Sequence, residues 1–245
     1  MPKPIIHLLN VRFRWPGEKS DLLYIPELIV NQGEHLFIQG PSGSGKTTLL
    51  NLLTGINLPT AGSITVLDTP LERLNNTRRD QFRADHLGVI FQQFNLLPYL
   101  SLLENVQLPC GFSQRKRANA GDMRATAVRL LTHLSIPETL LNQPVAKLSV
   151  GQQQRTAVAR ALIGSPEIVI ADEPTSALDT DNRDRFLELL FQETEKQGST
   201  LVFVSHDQHI AQQFAHVVNL ADFNADLNQG QFNQSQFNQS EGGLS

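Results

Sequence analysis

Residues 40–47 combine glycines, one lysine and one threonine at the spacing of a phosphate-binding loop. They match the pattern G-x-x-x-x-G-K-[ST], in which glycines let consecutive backbone N–H groups turn towards an anion. Lys46 adds a mobile positive charge, and Thr47 offers a hydroxyl to Mg²⁺. The segment predicts a site for a nucleoside triphosphate, with these candidate residues: Gly40, Pro41, Ser42, Gly43, Ser44, Gly45, Lys46, Thr47 and Thr48.

The elements on either side of this loop support the prediction. A short apolar run at 35–39 precedes it, and residues 48–53 follow it with helical spacing and stop at Gly55. In a strand, loop and helix of this order, the helix directs its free N–H groups and its dipole at the bound anion.

A second apolar run, residues 168–171, ends abruptly in the adjacent carboxylates Asp172 and Glu173. Ligands bind open α/β sheets at the carboxyl ends of strands. We expect Asp172 to hold Mg²⁺, directly or through water, and Glu173 to orient the attacking water and accept its proton. A solvated acidic turn is the alternative, and the phosphate loop in the same chain favours the catalytic interpretation.

Ser149 and Gln152 have the spacing of a capping box at a helix start. One interpretation is an ordinary helix N-terminus. The other is an anion site, because the same geometry exposes backbone N–H groups and a serine hydroxyl.

Further strand candidates lie at 63–67, 87–91, 168–172, 201–206 and 217–220. Several are apolar without alternation, which is typical of strands covered by helices on both faces. Between about 95 and 161 the strand patterns vanish, and helical patterns occur at 123–134 and 152–163. The predicted fold is α/β: a P-loop NTPase core with a mostly parallel sheet, an N-terminal antiparallel β region and an inserted helical subdomain.

Composition excludes several classes of protein. The 245 residues are 40% hydrophobic, enough for one substantial core, and the longest apolar runs are far shorter than the roughly 20 residues that span a bilayer. The N-terminus lacks the features of a secretory signal, so we expect a cytosolic location. A formal charge of −4 argues against a nucleic-acid partner, and the single cysteine, Cys110, excludes an internal disulfide or multi-cysteine metal cage.

The composition changes near residue 222. Residues 1–222 carry all the motifs, and the helical subdomain is inserted at about 95–161. Residues 223–245 are rich in Asn, Gln, Ser, Gly and Phe, and the pentapeptide QFNQS occurs there twice, at 231 and 236. This low complexity predicts a disordered tail rather than a docking motif built on Phe232 and Phe237.

Five motifs in register resemble the ABC ATPases, over residues 5–220 approximately. They are residues 40–47, 148–152, 172–173, 176–179 and 205–207. The resemblance implies ATP hydrolysis with ATP and Mg²⁺ as cofactors. It also implies that Gln92 senses Mg²⁺ and the attacking water, that Asp179 is the D-loop aspartate, and that His206 is the switch histidine contacting the γ-phosphate.

The resemblance also implies an aromatic side chain stacked on adenine. Trp15 is our choice because it precedes Pro16-Gly17, where the family often has a tyrosine; Phe13 is the close competitor and Tyr24 a weaker one.

Val150 departs from the family, which normally has glycine there. We expect it to be tolerated only if its backbone is ordinary and its side chain points away from the phosphates.

Partners follow from the same resemblance. Ser149, Gly151 and Gln152 of one subunit would close over the ATP held by another, which implies a homodimer around two nucleotides. An integral membrane permease would bind a groove at residues 94–100, placing this subunit peripherally on the cytoplasmic face of the membrane. The alternative for each apolar side chain of this segment is a place in the core of the helical lobe.

Three functions stay open at this point. Residues 96–98 and 104–109 resemble the branch with lipoprotein-releasing and macrolide-exporter ATPases, which favours export or extraction of a lipoprotein, peptide or hydrophobic compound. Residues 176–179 are common in amino-acid importers, the second candidate. The third is a soluble ABC protein acting on nucleic acid or ribosomes, and the chain lacks the coiled-coil insertions or second ATPase half typical of that class.

Overall fold

The computed structural model describes residues 3–41, 43–176, 178 and 180–223. Ser42 and Asp179, both expected at the nucleotide site, and residues 224–245 of the predicted tail lie outside the described residues.

The strands form one antiparallel and one parallel sheet. In chain order they are β1 (Pro4–Phe13), β2 (Leu23–Asn31), β3 (Leu36–Gln39), β4 (Ala61–Val66), β5 (Thr69–Pro70), β6 (Leu87–Ile90), β7 (Ile168–Asp172), β8 (Thr200–Val204) and β9 (His216–Asn219). The antiparallel sheet has the order β2-β1-β4-β5. The parallel sheet has the order β6-β7-β8-β3-β9, so the strands before the phosphate loop and the paired carboxylates lie two places apart.

Helices fill the intervals between the strands. They are α1 (Lys46–Leu53), α2 (Asn76–His86), α3 (Leu102–Gln107), α4 (Pro109–Phe112), α5 (Gln114–Ala120), α6 (Met123–His133), α7 (Val150–Leu162), α8 (Thr180–Gln197) and α9 (Gln208–Ala211), with 3₁₀ turns at Leu71–Arg73, Glu138–Leu140 and Val145–Lys147. Helices α3 to α7 follow one another without an intervening strand in this part of the described chain, which matches the helical pattern of the sequence.

Two hydrophobic cores lie on opposite faces of the parallel sheet. Successive side chains of a strand point to opposite faces. In β8, Leu201 and Phe203 therefore join the core shared with the helices α3 to α8, whereas Val202 and Val204 join the core shared with α1 and the antiparallel sheet. All five residues of β8 are buried, which explains why its sequence is apolar without alternation.

The sequence predicted the parallel strands to within two residues at each end. The prediction for 201–206 was too long: β8 ends at Val204 because Ser205 turns its hydroxyl to the backbone N–H of Asp207. Helix α2 was not predicted, since Phe82 is its one buried residue and it has no apolar stripe. Within the described chain, no helix is long and apolar enough to cross a membrane.

Candidate active site

The phosphate loop joins β3 to α1 and depends on glycine conformations. Gly43 and Gly45 have φ of 79° and 98°, in the left-handed region that side chains disfavour. A Cβ on Gly45 would also lie 2.7 Å from Leu23 Cδ2. Lys46 Nζ lies across the loop and donates hydrogen bonds to the carbonyls of Gly40 at 2.7 Å and Pro41 at 3.0 Å.

The two carboxylates stand where β7 ends. Asp172 is its last residue, and Glu173 follows with φ 47°, a costly conformation for a residue with a side chain. The backbone N–H of Glu173 donates to Val204 O at 2.9 Å, so β8 holds this strained residue in place. Strained backbone conformations cluster at functional sites, where the surrounding structure determines them.

His206 meets Glu173 across the ends of β7 and β8. His206 Nδ1 lies 3.0 Å from both carboxylate oxygens of Glu173, and Ser205 Oγ donates to Glu173 Oε2 at 3.3 Å. Lys46 Nζ lies 3.9 Å from Glu173 Oε1. The carboxylate of Glu173 is thus oriented by its neighbours and largely shielded from solvent, while the His206 side chain is 68% exposed.

A cleft of about 700 Å³ unites most of the predicted site. The described residues that line it come from the phosphate loop and the start of α1, from the segments at the ends of β6, β7 and β8, and from the residue before β2: Leu22, Pro41, Gly43, Gly45, Lys46, Thr47, Thr48, Gln92, Asp172, Glu173 and His206. Gly40 and His206 also line a smaller adjoining cavity. The sequence offered no signal for Leu22, which belongs to no motif.

The cleft suits a metal-bound polyphosphate. Thr47, Asp172 and Gln92 supply hydroxyl, carboxylate and amide oxygens, the hard donors that Mg²⁺ prefers. Burial raises the pKa of Asp172, the neighbouring Glu173 raises it further, and the Lys46 ammonium opposes both effects. A cation at Asp172 would relieve this unfavourable concentration of negative charge.

The signature residues lie apart from this cleft. Ser149 caps α7: its hydroxyl accepts from the Gln152 N–H at 3.3 Å, and the Gln152 side chain accepts from the Ser149 N–H at 2.9 Å. Ser149 and Gly151 line a separate cavity of about 530 Å³. The capping box predicted from sequence is therefore present, and the structure does not bring it to the phosphate loop of the same chain.

Val150 meets the backbone part of the condition set by the sequence. It is the first residue of α7 and does not have a positive φ. The β-branched side chain therefore imposes no left-handed strain on the helix start. Val150 is 52% exposed and lines the same cavity as Ser149 and Gly151, so the position of its side chain relative to bound phosphate stays a prediction.

Replacing Val150 with glycine should change the ATPase rate only modestly, because the backbone conformation at this position suits either residue. Steady-state phosphate release by the purified variant measures the effect, with Ser149→Ala as the comparison that removes the cap. A rise or fall beyond about a hundredfold, about 2.7 kcal/mol of barrier, would contradict this view of Val150.

The candidate adenine-stacking rings occupy different environments. Trp15 is 44% exposed and packs edge-to-face on Phe13 with ring centroids 5.0 Å apart, and it is not among the described residues that line the cleft. Phe13 is 5% exposed, which hides its face, and the Tyr24 ring is covered by the Arg12 guanidinium at 4.1 Å. Of the three, Trp15 has the most accessible ring.

Two residues that sequence reasoning missed connect α7 to the catalytic segments. Gln154, 2% exposed, donates from Nε2 to the carbonyl of Pro174, next to Glu173, at 2.8 Å. Arg160 donates to the backbone just after Gln92. Both contacts join residues that are far apart in the sequence, so no local pattern indicated them.

Comparison with known proteins agrees with this geometry. The family model described as ABC transporter matches residues 25–176. MJ0796 of Methanocaldococcus jannaschii, named an uncharacterised ABC transporter ATP-binding protein, is 39% identical over 80% of this chain and 83% of its own. The macrolide export ATP-binding/permease protein MacB of Pectobacterium atrosepticum is 37% identical over 91% of this chain, which corresponds to 34% of MacB.

A solved structure gives the same result. The dimeric post-hydrolysis state of the cassette MJ0796 with ADP and Pi superposes with a TM-score of 0.76, at 36% identity, covering 87% of this chain and 93% of that one. The phosphate loop, the carboxylates at the end of β7, the family match and this structural likeness lead to one conclusion. The chain belongs to the family of ABC transporter ATP-binding proteins and is an ATPase.

Proposed function

We propose that two copies of this chain close around two Mg²⁺–ATP complexes and that this closure drives a membrane permease. The observation that carries the proposal is the position of Glu173, which lies in one cleft with the phosphate loop and contacts both Lys46 and His206. Hydrolysis of a phosphoanhydride requires a base for the attacking water and positive charge for the phosphates. Glu173 can supply the base and Lys46 the charge, and the His206 imidazole lies beside them.

Each group has a distinct role in the proposed reaction. Thr47, Asp172 and Gln92 would hold Mg²⁺, which neutralises phosphate charge when bound. Glu173 accepts a proton from the attacking water, with its carboxylate oriented by His206 and Ser205. His206 is exposed enough to turn its other ring nitrogen to the terminal phosphate.

The separation of Ser149 and Gly151 from the cleft supports the dimer. The exposed Ser149 hydroxyl and the N-terminus of α7 can bind an anion, but they lie apart from the phosphate loop of the same chain. A second copy would bring Ser149, Gly151 and Gln152 over the bound ATP and exclude water. The dimer named for MJ0796 agrees with this arrangement.

A second cleft, of about 610 Å³, is the surface we assign to the permease. It lies between α2, β6, α4 and α5 and is lined by apolar side chains that include Phe91 and Phe112, which are 40% and 69% exposed. Of the segment 94–100, only Asn95 is among its described lining residues. An amphipathic cytoplasmic helix of a permease would bury these rings, placing the chain peripherally on the membrane.

Phe112→Glu should release the permease while leaving hydrolysis by the isolated chain within about twofold of normal, because a charge would be buried against an apolar helix. Co-expression with a candidate ABC permease, followed by affinity purification, measures the complex. Ile56→Glu, at another exposed apolar residue, is the matched control and should keep it. Equal permease recovery with both variants would exclude this cleft as the docking surface.

We further propose that the transporter exports or extracts a lipoprotein, peptide or hydrophobic compound. The similarity to MacB, whose name gives macrolide export, supports this direction. Co-purification also tests the alternatives: an importer should bring down a permease linked to a solute-binding protein, and full activity without membrane association would favour a soluble function.

A further inference from the structure

The side chain of Arg160 is buried on α7 and donates hydrogen bonds to backbone carbonyls. Arg160 is 9% exposed, and Nη1 donates to Asn95 O at 2.6 Å while Nη2 donates to Phe94 O at 2.5 Å. Burial lowers the pKa of the guanidinium, and no carboxylate in the described parts of the chain forms an ion pair with it. A buried cation satisfied by two backbone carbonyls fixes the conformation of the segment that presents them.

That segment has an unfavourable backbone conformation. Phe94 and Asn95 have φ of 58° and 49°, two consecutive left-handed residues that are not glycine. Hydrogen bonds from Phe94 N to Phe91 O at 2.9 Å and from Asn95 N to Gln93 O at 2.6 Å close the chain into a tight turn. The Phe94 ring, 8% exposed, is anchored in the helical core.

Gln92 lies inside this turn, two residues after the end of β6, and lines the nucleotide cleft. Arg160 stands on the same rigid helix that begins at the Ser149 cap. One side chain therefore joins the helix that carries the signature residues to the loop that carries Gln92, across 65 positions of sequence.

We propose that Arg160 is a positioning residue that holds the left-handed turn at Phe94 and Asn95 and thereby keeps Gln92 directed into the nucleotide cleft. The inference rests on the proposed role of Gln92 in hydrolysis. Lysine cannot replace Arg160, because a single ammonium lacks the planar fork that reaches both carbonyls at once.

The first test is Arg160→Lys in the purified full-length chain. The kcat for ATP should fall about tenfold with KM within about twofold, since the phosphate loop is unchanged and only an interaction of the reacting state is lost. Independently of activity, amide hydrogen exchange of residues 91–97 in the nucleotide-free protein should accelerate by about tenfold.

Relief of the backbone strain provides a diagnostic rescue. Asn95→Gly, added to Arg160→Lys, should restore kcat by about threefold or more, because glycine adopts positive φ without the Cβ clash. Asn10→Gly is the matched control: Asn10 is also exposed with φ 50°, lies in β1, and should restore nothing. Rescue by neither substitution, or equally by both, would overturn the positioning role.

Asn95→Val, with Arg160 unchanged, tests the same turn even if the Arg160 variants do not fold. A β-branched residue opposes positive φ, so kcat should fall about threefold with KM unchanged. A normal kcat in this variant, or in folded Arg160→Lys, would overturn the inference.

Gln92→Ala tests the role of Gln92 separately. A normal ATPase rate in Gln92→Ala would remove both the proposed role of Gln92 and this inference. If Gln92→Ala is slow but the Arg160 variants behave normally, the role of Gln92 stands and only the positioning role of Arg160 is overturned.

Discussion

Replacing Glu173 with glutamine should lower ATP turnover by about a hundredfold to ten-thousandfold, the usual contribution of a general base. Glutamine keeps the size of the side chain and can still contact His206, but an amide cannot accept the proton of the attacking water. ATP affinity should change by less than about threefold, because Lys46 and the phosphate loop remain intact. Single-turnover phosphate release and the binding of a fluorescent ATP analogue measure the two quantities.

The same variant tests dimerisation. With hydrolysis blocked, ATP and Mg²⁺ should hold two copies together, and light scattering after size exclusion should give twice the mass of the chain. Glu188→Gln, at an exposed residue of α8, is the control and should hydrolyse ATP at the normal rate. Near-normal turnover in Glu173→Gln would remove Glu173 from its role as base, and a monomer with ATP bound would contradict the dimer.

Lys46→Met should weaken ATP binding by about a hundredfold, because it removes charge-assisted hydrogen bonds to phosphate, each about 1.5–3 kcal/mol. Methionine retains an unbranched side chain of similar length, so α1 should form normally. The variant also loses the bonds from Lys46 Nζ to the carbonyls of Gly40 and Pro41. Titration calorimetry with ATP in the presence of Mg²⁺ measures the affinity.

Lys3→Met is the control for the loss of a lysine. Lys3 forms an exposed ion pair with Asp68, and such pairs contribute about 1 kcal/mol or less. We expect ATP affinity within about threefold of normal in Lys3→Met. This result would show that the effect of Lys46→Met comes from the place of Lys46 in the phosphate loop and not from the loss of one positive charge on the protein. Unchanged affinity in Lys46→Met would mean that the phosphates bind elsewhere.

Segments with strong local patterns were predictable from sequence. Apolar strands such as β7 and the capping box of α7 are determined by residues close together in the chain, so spacing alone located them. Helix α2 escaped prediction because a polar helix with one buried residue carries no periodic signal. The end of β8 was misplaced because Ser205 forms hydrogen bonds with Glu173 and Asp207, which no local pattern indicates.

The sequence by itself determined the nucleotide chemistry of this protein. A glycine-rich loop, a lysine and paired carboxylates act through short-range geometry that their own spacing specifies. Only the tertiary structure decided which distant groups meet: parallel pairing of β7 with β8 puts His206 against Glu173, and burial of Arg160 ties α7 to the turn after Gln92. Such contacts depend on strand order and core packing, which involve the whole chain at once and leave no pattern at either residue.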